Sequence, residues 1–271
     1  MLDGGRSSQC MTPTECISSD RIVQNYICIW IDKSKPAPKY YRYIDVSKYQ
    51  GTINWAKVKK NIGGAMLRVG CGKTYIDETF EYNVKECNRL EIPVGAYWFS
   101  KALSIADAKE EAKIFLKTVK PYKMNLPLAF DYEYDSHRGV KVTKELVSGM
   151  SIAFCDIIRD AGYTPLNYTN VDYLTQYFTS TAAERYGIWL AAWRTSTPSA
   201  DTLPSRYCDI WQYGVGYIPG IDVNVDINRV YKTFSNPNGG IQIEEPTIEC
   251  PYPEPTQNIK LGSMGTGAKW V

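Results

Sequence analysis

The segment LPLAFDYEYD, residues 126–135, runs from five apolar or proline residues into three acids at alternate positions, Asp131, Glu133 and Asp135. Successive side chains on a strand point to opposite faces, so these three acids share one face while Tyr132 and Tyr134 take the other. Clustered carboxylates raise the pKa of at least one member. One protonated carboxyl beside one ionised carboxyl is what acid-assisted cleavage of a glycosidic bond requires. A solvated strand end has the same local pattern, so the rest of the chain must decide between the two.

His137 is the only histidine. That count removes most Ser-His-Asp and Cys-His hydrolases unless His137 is itself the base, and it removes His-based metal sites. Beside Ser136 and Arg138 it reads as an exposed loop residue, which leaves the chemistry to carboxylates, lysine or tyrosine.

The elements that must position the acids are legible from periodicity. YYRYIDVS (40–47) reads as a strand, NWAKVKKN (54–61) as a short helix, GAMLRVG (64–70) as a strand, 78–91 as a helix and PVGAYWFS (93–100) as a strand. Ser104 and Asp107 read as a helix start, and Ile105, Ala108, Ala112, Phe115, Leu116 and Val119 make one apolar face behind it. After the strand 126–133, Thr143 caps a long helix that Gly162 ends. TPLNYTN (164–170) is a strand, and VDYLTQYF (171–178) starts a helix. Three more strands follow, IWLAAW (188–193), YCDIWQY (207–213) and VDINRVY (225–231), joined by connectors too rich in Pro, Gly, Ser and Thr for helices.

Five strand-helix units followed by three strands predict an α/β fold, an irregular TIM-like barrel whose working site lies at the C-terminal ends of its strands. Asp45 ends strand one, Asp131 and Glu133 end strand four, and Asp226 followed by Asn228 lies near the start or middle of strand eight. If strand eight closes on strand one, the four carboxylates converge on one cleft. Asp135 is expected outside that group. Tyr97, Trp98, Tyr168, Trp193, Trp211, Gln212 and Tyr213 come to the same strand ends, as a saccharide cleft would need.

Composition sets bounds on partners. Of 271 residues 44% are hydrophobic, enough for one large domain with appendages, and 31 basic against 29 acidic residues leave a net charge of +2. No strong field marks a nucleic-acid partner, and Lys57, Lys59 and Lys60 read as a solvated helix face. The 21 Tyr and 7 Trp suit stacking on sugars, though they also fill cores. The 8 cysteines include no C-x-x-C pair, so zinc is not expected, and Cys155 and Cys208 read as reduced core residues. The short apolar run 27–31 is neither a signal peptide nor a membrane span. Extracellular action therefore calls for release by another route, such as holin action or lysis, after synthesis in the cytoplasm.

With these residues in place, the chain resembles the bacterial and phage muramidases of glycoside hydrolase family 25 across about 41–231. The resemblance is carried by IDVSKYQGTINWAKVK, MLRVGCG, PVGAYWFS, LAFDYEYD, LNYTN, IWLAAW, DIWQYG and GIDVNVDINRVY. It implies cleavage of the bond between N-acetylmuramic acid and N-acetylglucosamine in peptidoglycan, without cofactor or metal, by a catalytic domain expected to be monomeric. Glu133 then looks like the general acid/base, Asp131 its neighbour, and Asp45 and Asp226 the other acids of the cleft. Tyr97, Tyr168, Trp193, Gln212 and Arg68 are the implied substrate-binding residues. Retention of configuration is implied, with either the substrate acetamido group or a carboxylate (Asp226 or Asp131) as nucleophile.

Residues 1–40 read as an appended, partly disordered segment, 41–233 as the catalytic barrel, and 234–260 as a proline-rich linker. Residues 261–271 resemble the start of a truncated peptidoglycan-binding module. Two other readings stay open: a hydrolase that holds Mg²⁺ or Ca²⁺ on the same acids, and a carbohydrate-binding module without catalysis, for which a buried acid pair would be a needless burden on stability.

Overall fold

The structure is a computed structural model that describes residues 42–193, 208–232, 234 and 236, together with the backbone of Cys10–Met11 and Cys16–Ile17. Those last two segments form a short antiparallel pair within a separate unit, Met1–Lys39. The rest of residues 1–40, most of the stretch read as a linker, and 261–271 lie outside the described residues, as does the connector 194–207.

Eight strands form the barrel: β1 (Tyr43–Val46), β2 (Gly64–Cys71), β3 (Val94–Phe99), β4 (Leu128–Asp131), β5 (Pro165–Asn170), β6 (Ile188–Ala191), β7 (Ile210–Gly216) and β8 (Val225–Val230). Neighbours from β1 through β7 along the chain pair in parallel, and β8 runs antiparallel to both β7 and β1, which closes the sheet. A two-residue strand, Tyr75–Ile76, folds back on the end of β2. The helices are α1 (Trp55–Val58), α2 (Phe80–Arg89), α3 (Ile105–Val119), α4 (Tyr134–His137), α5 (Lys144–Asp160), α6 (Val171–Tyr177) and α7 (Ser180–Tyr186).

Alternation along each strand divides the core into two layers. Outward residues such as Ile44, Leu67, Ala96 and Phe130 pack with the inner faces of the helices, among them Phe115 of α3 and Phe154 of α5. Inward residues Tyr43, Met66, Ala129, Leu166, Trp189, Ile210 and Val230 fill the barrel, joined by Leu126 and Phe234. Asn236 donates to the Leu126 carbonyl at 2.7 Å and accepts from Thr164 N–H at 2.8 Å, so the described chain at 234 and 236, the opening of the stretch read as a linker, is tied to the barrel. Gly95 points into the crowded interior, where a Cβ would sit 2.6 Å from the Pro127 carbonyl oxygen and 2.7 Å from the Met66 sulfur.

Local capping follows the sequence reading. Ser104 accepts from Asp107 N–H at 3.1 Å to start α3, and Thr143 accepts from Leu146 N–H at 3.2 Å to start α5. The predicted apolar face of α3 is buried at Ala108, Ala112, Phe115 and Val119, but Ile105 is exposed and Glu111 is buried instead. Cys87, Cys155 and Cys208 are buried free thiols and Cys71 a half-buried one. Among the described residues no helix is long and apolar enough to cross a membrane.

Candidate active site

The inward-facing residues change character toward the C-terminal ends of the parallel strands. Above the apolar filling stand Asp45, Arg68, Tyr97, Asp131, Tyr168 and Gln212, one from each of six strands. Asp226 joins them from the opposite direction. Because β8 runs antiparallel, its beginning lies at the strand-end mouth, and Asp226 pairs directly with Asp45. Asp45, Asp131, Glu133 and Asp226 thus line one cleft of about 320 Å³, with Arg68, Tyr97, Tyr168 and Gln212 on its walls.

Asp45 is held from below. Its Oδ2 accepts from Gln212 Nε2 at 3.0 Å and from Asn228 Nδ2 at 2.7 Å. Gln212 Oε1 in turn accepts from Tyr168 O–H at 3.1 Å and Trp193 Nε1–H at 3.0 Å, and Asn228 Oδ1 accepts from Trp189 Nε1–H at 2.7 Å. These bonds fix both amide orientations. Burial, then the neighbouring Asp226 charge, push the Asp45 carboxyl up to about 7 against the two amide donors that lower it. Burial likewise raises Asp226.

The Asp131–Glu133 pair is built differently from the strand reading. β4 stops at Asp131, and Glu133 is the extended N-cap of the single-turn helix α4, with its N–H donating to Ser136 Oγ at 3.0 Å. Asp131 is 4% exposed, and its Oδ1 has no hydrogen-bond partner among the described residues. Burial raises its pKa well above the usual range, and the charges of Glu133 and Asp45 add to that. Glu133 is raised by burial first and then by Asp135, with Lys101 lowering it. Asp135 thus adds a like charge beside Glu133, next to the mutual repulsion of the Asp131–Glu133 pair.

Asp135 borders the cleft, yet it is half exposed and its Oδ1 accepts from Arg138 Nε and Nη2 at 3.1 and 2.9 Å. Arg68 donates from Nε to the buried Asp77 Oδ2 at 2.7 Å, and its guanidinium lies 5.1 Å from the centre of the exposed Tyr49 ring. Trp193 is exposed and reaches the site through Gln212. Tyr97 and Tyr168 meet the Trp189 ring edge to face, with centroids 5.8 and 4.6 Å away. Trp98 and Trp211 point away into the outer layers.

Three residues escaped the sequence reading. Trp189 sits in the apolar run IWLAAW and looks like filling, but it forms the aromatic floor and orients Asn228. Asp77 lies in a loop without a chemical pattern and anchors Arg68. His137 is buried rather than exposed: α4 folds back, so that its ring stacks on Tyr132 and contacts Tyr173 and Tyr177, with Nδ1 2.6 Å from the Val140 carbonyl oxygen.

A barrel that gathers acids of raised pKa at its strand ends, over an aromatic floor, has the make-up of a carbohydrate-cleaving enzyme. The sequence model of Glycosyl hydrolases family 25 matches residues 44–221; the chain belongs to that family and is a glycosidase. It is 28% identical over 203 residues to the uncharacterized protein YegX of Escherichia coli (strain K12), covering 71% of this chain and 70% of that protein. It is 27% identical over 201 residues to lysozyme M1 of Streptomyces globisporus, covering 69% of this chain and 66% of that protein. Among solved structures, it is similar to the modular autolysin LytC of Streptococcus pneumoniae in complex with a synthetic peptidoglycan ligand. That match has a TM-score of 0.61 and 25% identity, over 72% of this chain and 47% of LytC.

Proposed function

We propose that this glycosidase is a lysozyme that cleaves the β-1,4 bond between N-acetylmuramic acid and N-acetylglucosamine in bacterial peptidoglycan, and that residues 41–233 form its catalytic domain. The observation that carries the reading is the pairing of Glu133, whose carboxyl is raised by burial, with the buried Asp131 in one cleft. The relationship to lysozyme M1 and to LytC supports the choice of substrate.

In this mechanism Glu133, whose carboxyl burial raises above its ordinary range, gives its proton to the leaving oxygen and then takes a proton from the attacking water. Asp131 Oδ1, buried and without a protein partner among the described residues, is an acceptor that the N–H of a substrate acetamido group satisfies. Held in that way, the acetamido carbonyl oxygen is turned toward the anomeric carbon and attacks it from the face opposite the leaving group. Two displacements then return the original configuration. Asp45 and Asp226, close to each other and both raised, share the remaining charge at the far wall, and Asp45 positions Tyr168 and Trp193 through Gln212.

Digestion of purified peptidoglycan, followed by identification of the new reducing-end sugar, tests the bond. Muramic acid at the new end is expected; glucosamine, or no new end, sinks the proposal. Fresh product observed by NMR before mutarotation is expected to be the β anomer.

A further inference from the structure

Lys101 opens the loop between β3 and α3, outside the lining of the cleft. Its backbone N–H donates to Glu111 Oε1 at 3.0 Å, and Glu111 is buried on the inner face of α3. The loop is also stitched to the strand that carries Asp131. Ser100 N–H donates to the Asp131 carbonyl at 2.9 Å, and Tyr132 O–H donates to the Ala102 carbonyl at 3.0 Å. The main chain of Lys101 is thereby fixed relative to β4, although its side chain is exposed.

From this base the lysine side chain crosses the Phe99 ring, with Nζ 4.5 Å from the centroid, and its ammonium donates to the backbone carbonyl of Asp135. Asp135 lies inside α4, the four-residue helix capped by Glu133. One turn of helix does not hold itself in water. Its remaining ties are local or apolar: Glu133 N–H on Ser136 Oγ, Arg138 on Asp135, and the stacking of His137 on Tyr132, Tyr173 and Tyr177. Among the described residues, Lys101 supplies the one hydrogen bond that reaches α4 from another element.

We propose that Lys101 is a positioning residue for the reaction: by tying the Asp135 carbonyl to the β3–α3 loop, it fixes the Glu133 carboxyl in place against Asp131. The inference rests on Glu133 as the acid. A charge effect accompanies the tie. The groups facing Glu133 are Asp131 from β4, Asp135 from α4, Tyr168 from β5 and Tyr173 from α6; against them Lys101 supplies positive charge that draws both Glu133 and Asp131 downward.

The test is kcat and KM against pH on a soluble wall fragment for the wild type, Lys101→Met, Lys101→Arg and Glu133→Gln. Misplacing a catalytic group by about an ångström costs up to about a hundredfold in rate. Lys101→Met is therefore expected to lower kcat by about ten- to a hundredfold, with KM within about threefold of wild type. Its alkaline limb is expected at higher pH, because loss of the cation raises Glu133. Lys101→Arg, which keeps charge and reach, is expected to restore both rate and profile. Wild-type kcat with an unmoved limb in Lys101→Met overturns the proposal. So does a loss confined to KM, which would make Lys101 a substrate contact, or a kcat loss that Lys101→Arg does not relieve. Glu133→Gln reports on the underlying reading separately: near-normal turnover in that variant removes Glu133 as the acid, whatever Lys101→Met does.

Discussion

Asp45 and Asp226 face each other as direct antiparallel partners across the β1–β8 ladder, two acids from opposite ends of the barrel sequence held side by side. Like charges directly opposite on a ladder destabilise it, and burial adds to the conflict. The protein resolves it by keeping Asp45 protonated up to about pH 7.

This has a consequence for stability. The folded Asp45 titrates near 7 and the unfolded one near its ordinary 3.8, so the folded state binds the proton more tightly between those values. Stability contributed by this group is present at low pH and falls as pH rises through that window. Asp45→Asn removes the titration while its amide oxygen still accepts from Gln212 and Asn228. Its melting temperature is expected to exceed that of the wild type by a few degrees at neutral pH and above. The gap should close toward about pH 4. Thermal unfolding across pH checks this, and a gap that does not change with pH would refute it.

Replacing Glu133 with Gln keeps the shape of the side chain but removes its acidic proton. General acids contribute roughly 10²–10⁴ in rate, so Glu133→Gln is expected to lower kcat at least about a hundredfold while substrate binding persists. Steady-state kinetics together with a binding isotherm on a wall fragment separate the two effects. A variant that turns over normally would end the assignment.

Asp135 works on Glu133 through charge. Its carboxylate raises Glu133, so Asp135→Asn is expected to let Glu133 lose its proton sooner and to move the alkaline limb of kcat to lower pH. Turnover on the acid side should be largely retained, since Asp135 is half exposed and paired with Arg138. An unmoved limb in the pH profile would mean that the two carboxyls are not coupled.

The acids are assigned to proton transfer and charge stabilisation, so excess EDTA is expected to leave turnover on cell walls nearly unchanged. A large loss that Mg²⁺ or Ca²⁺ restores would reassign the four carboxylates as a metal site.

Much of this site was legible because strand alternation and strand-end position are local properties. Asp45, Asp131 and Gln212 each follow an apolar inward residue by two positions, which places them in the upper layer of the barrel. Glu133 was found for a partly mistaken reason: alternation carries it to the face of Asp131, but the strand ends at Asp131 and a helix cap presents Glu133. No periodicity announces a one-turn helix. Trp189 reads as core from composition, since nothing local reveals that its indole N–H orients an amide on β8. The burial of His137 depends on Tyr173 and Tyr177 from a later helix, a tertiary contact that no window around residue 137 contains.

The reversed direction of β8 also bears on how the enzyme comes into being. During synthesis the first strand, with Asp45, emerges early, while the strand that completes the ladder beside it emerges after the seven others. Until β8 docks, Asp45 lacks Asn228, and the cleft lacks Asp226. The Asp45–Asp226 wall of the cleft is therefore absent from every partly folded chain in which β8 is undocked, whereas Asp131 and Glu133 belong to β4 and the helix cap that follows it. Joining residues so distant in sequence is a slow, late type of contact, and here the seam that makes the barrel whole is also one wall of the cleft. Docking of β8 thus closes the barrel and completes the cleft in one step.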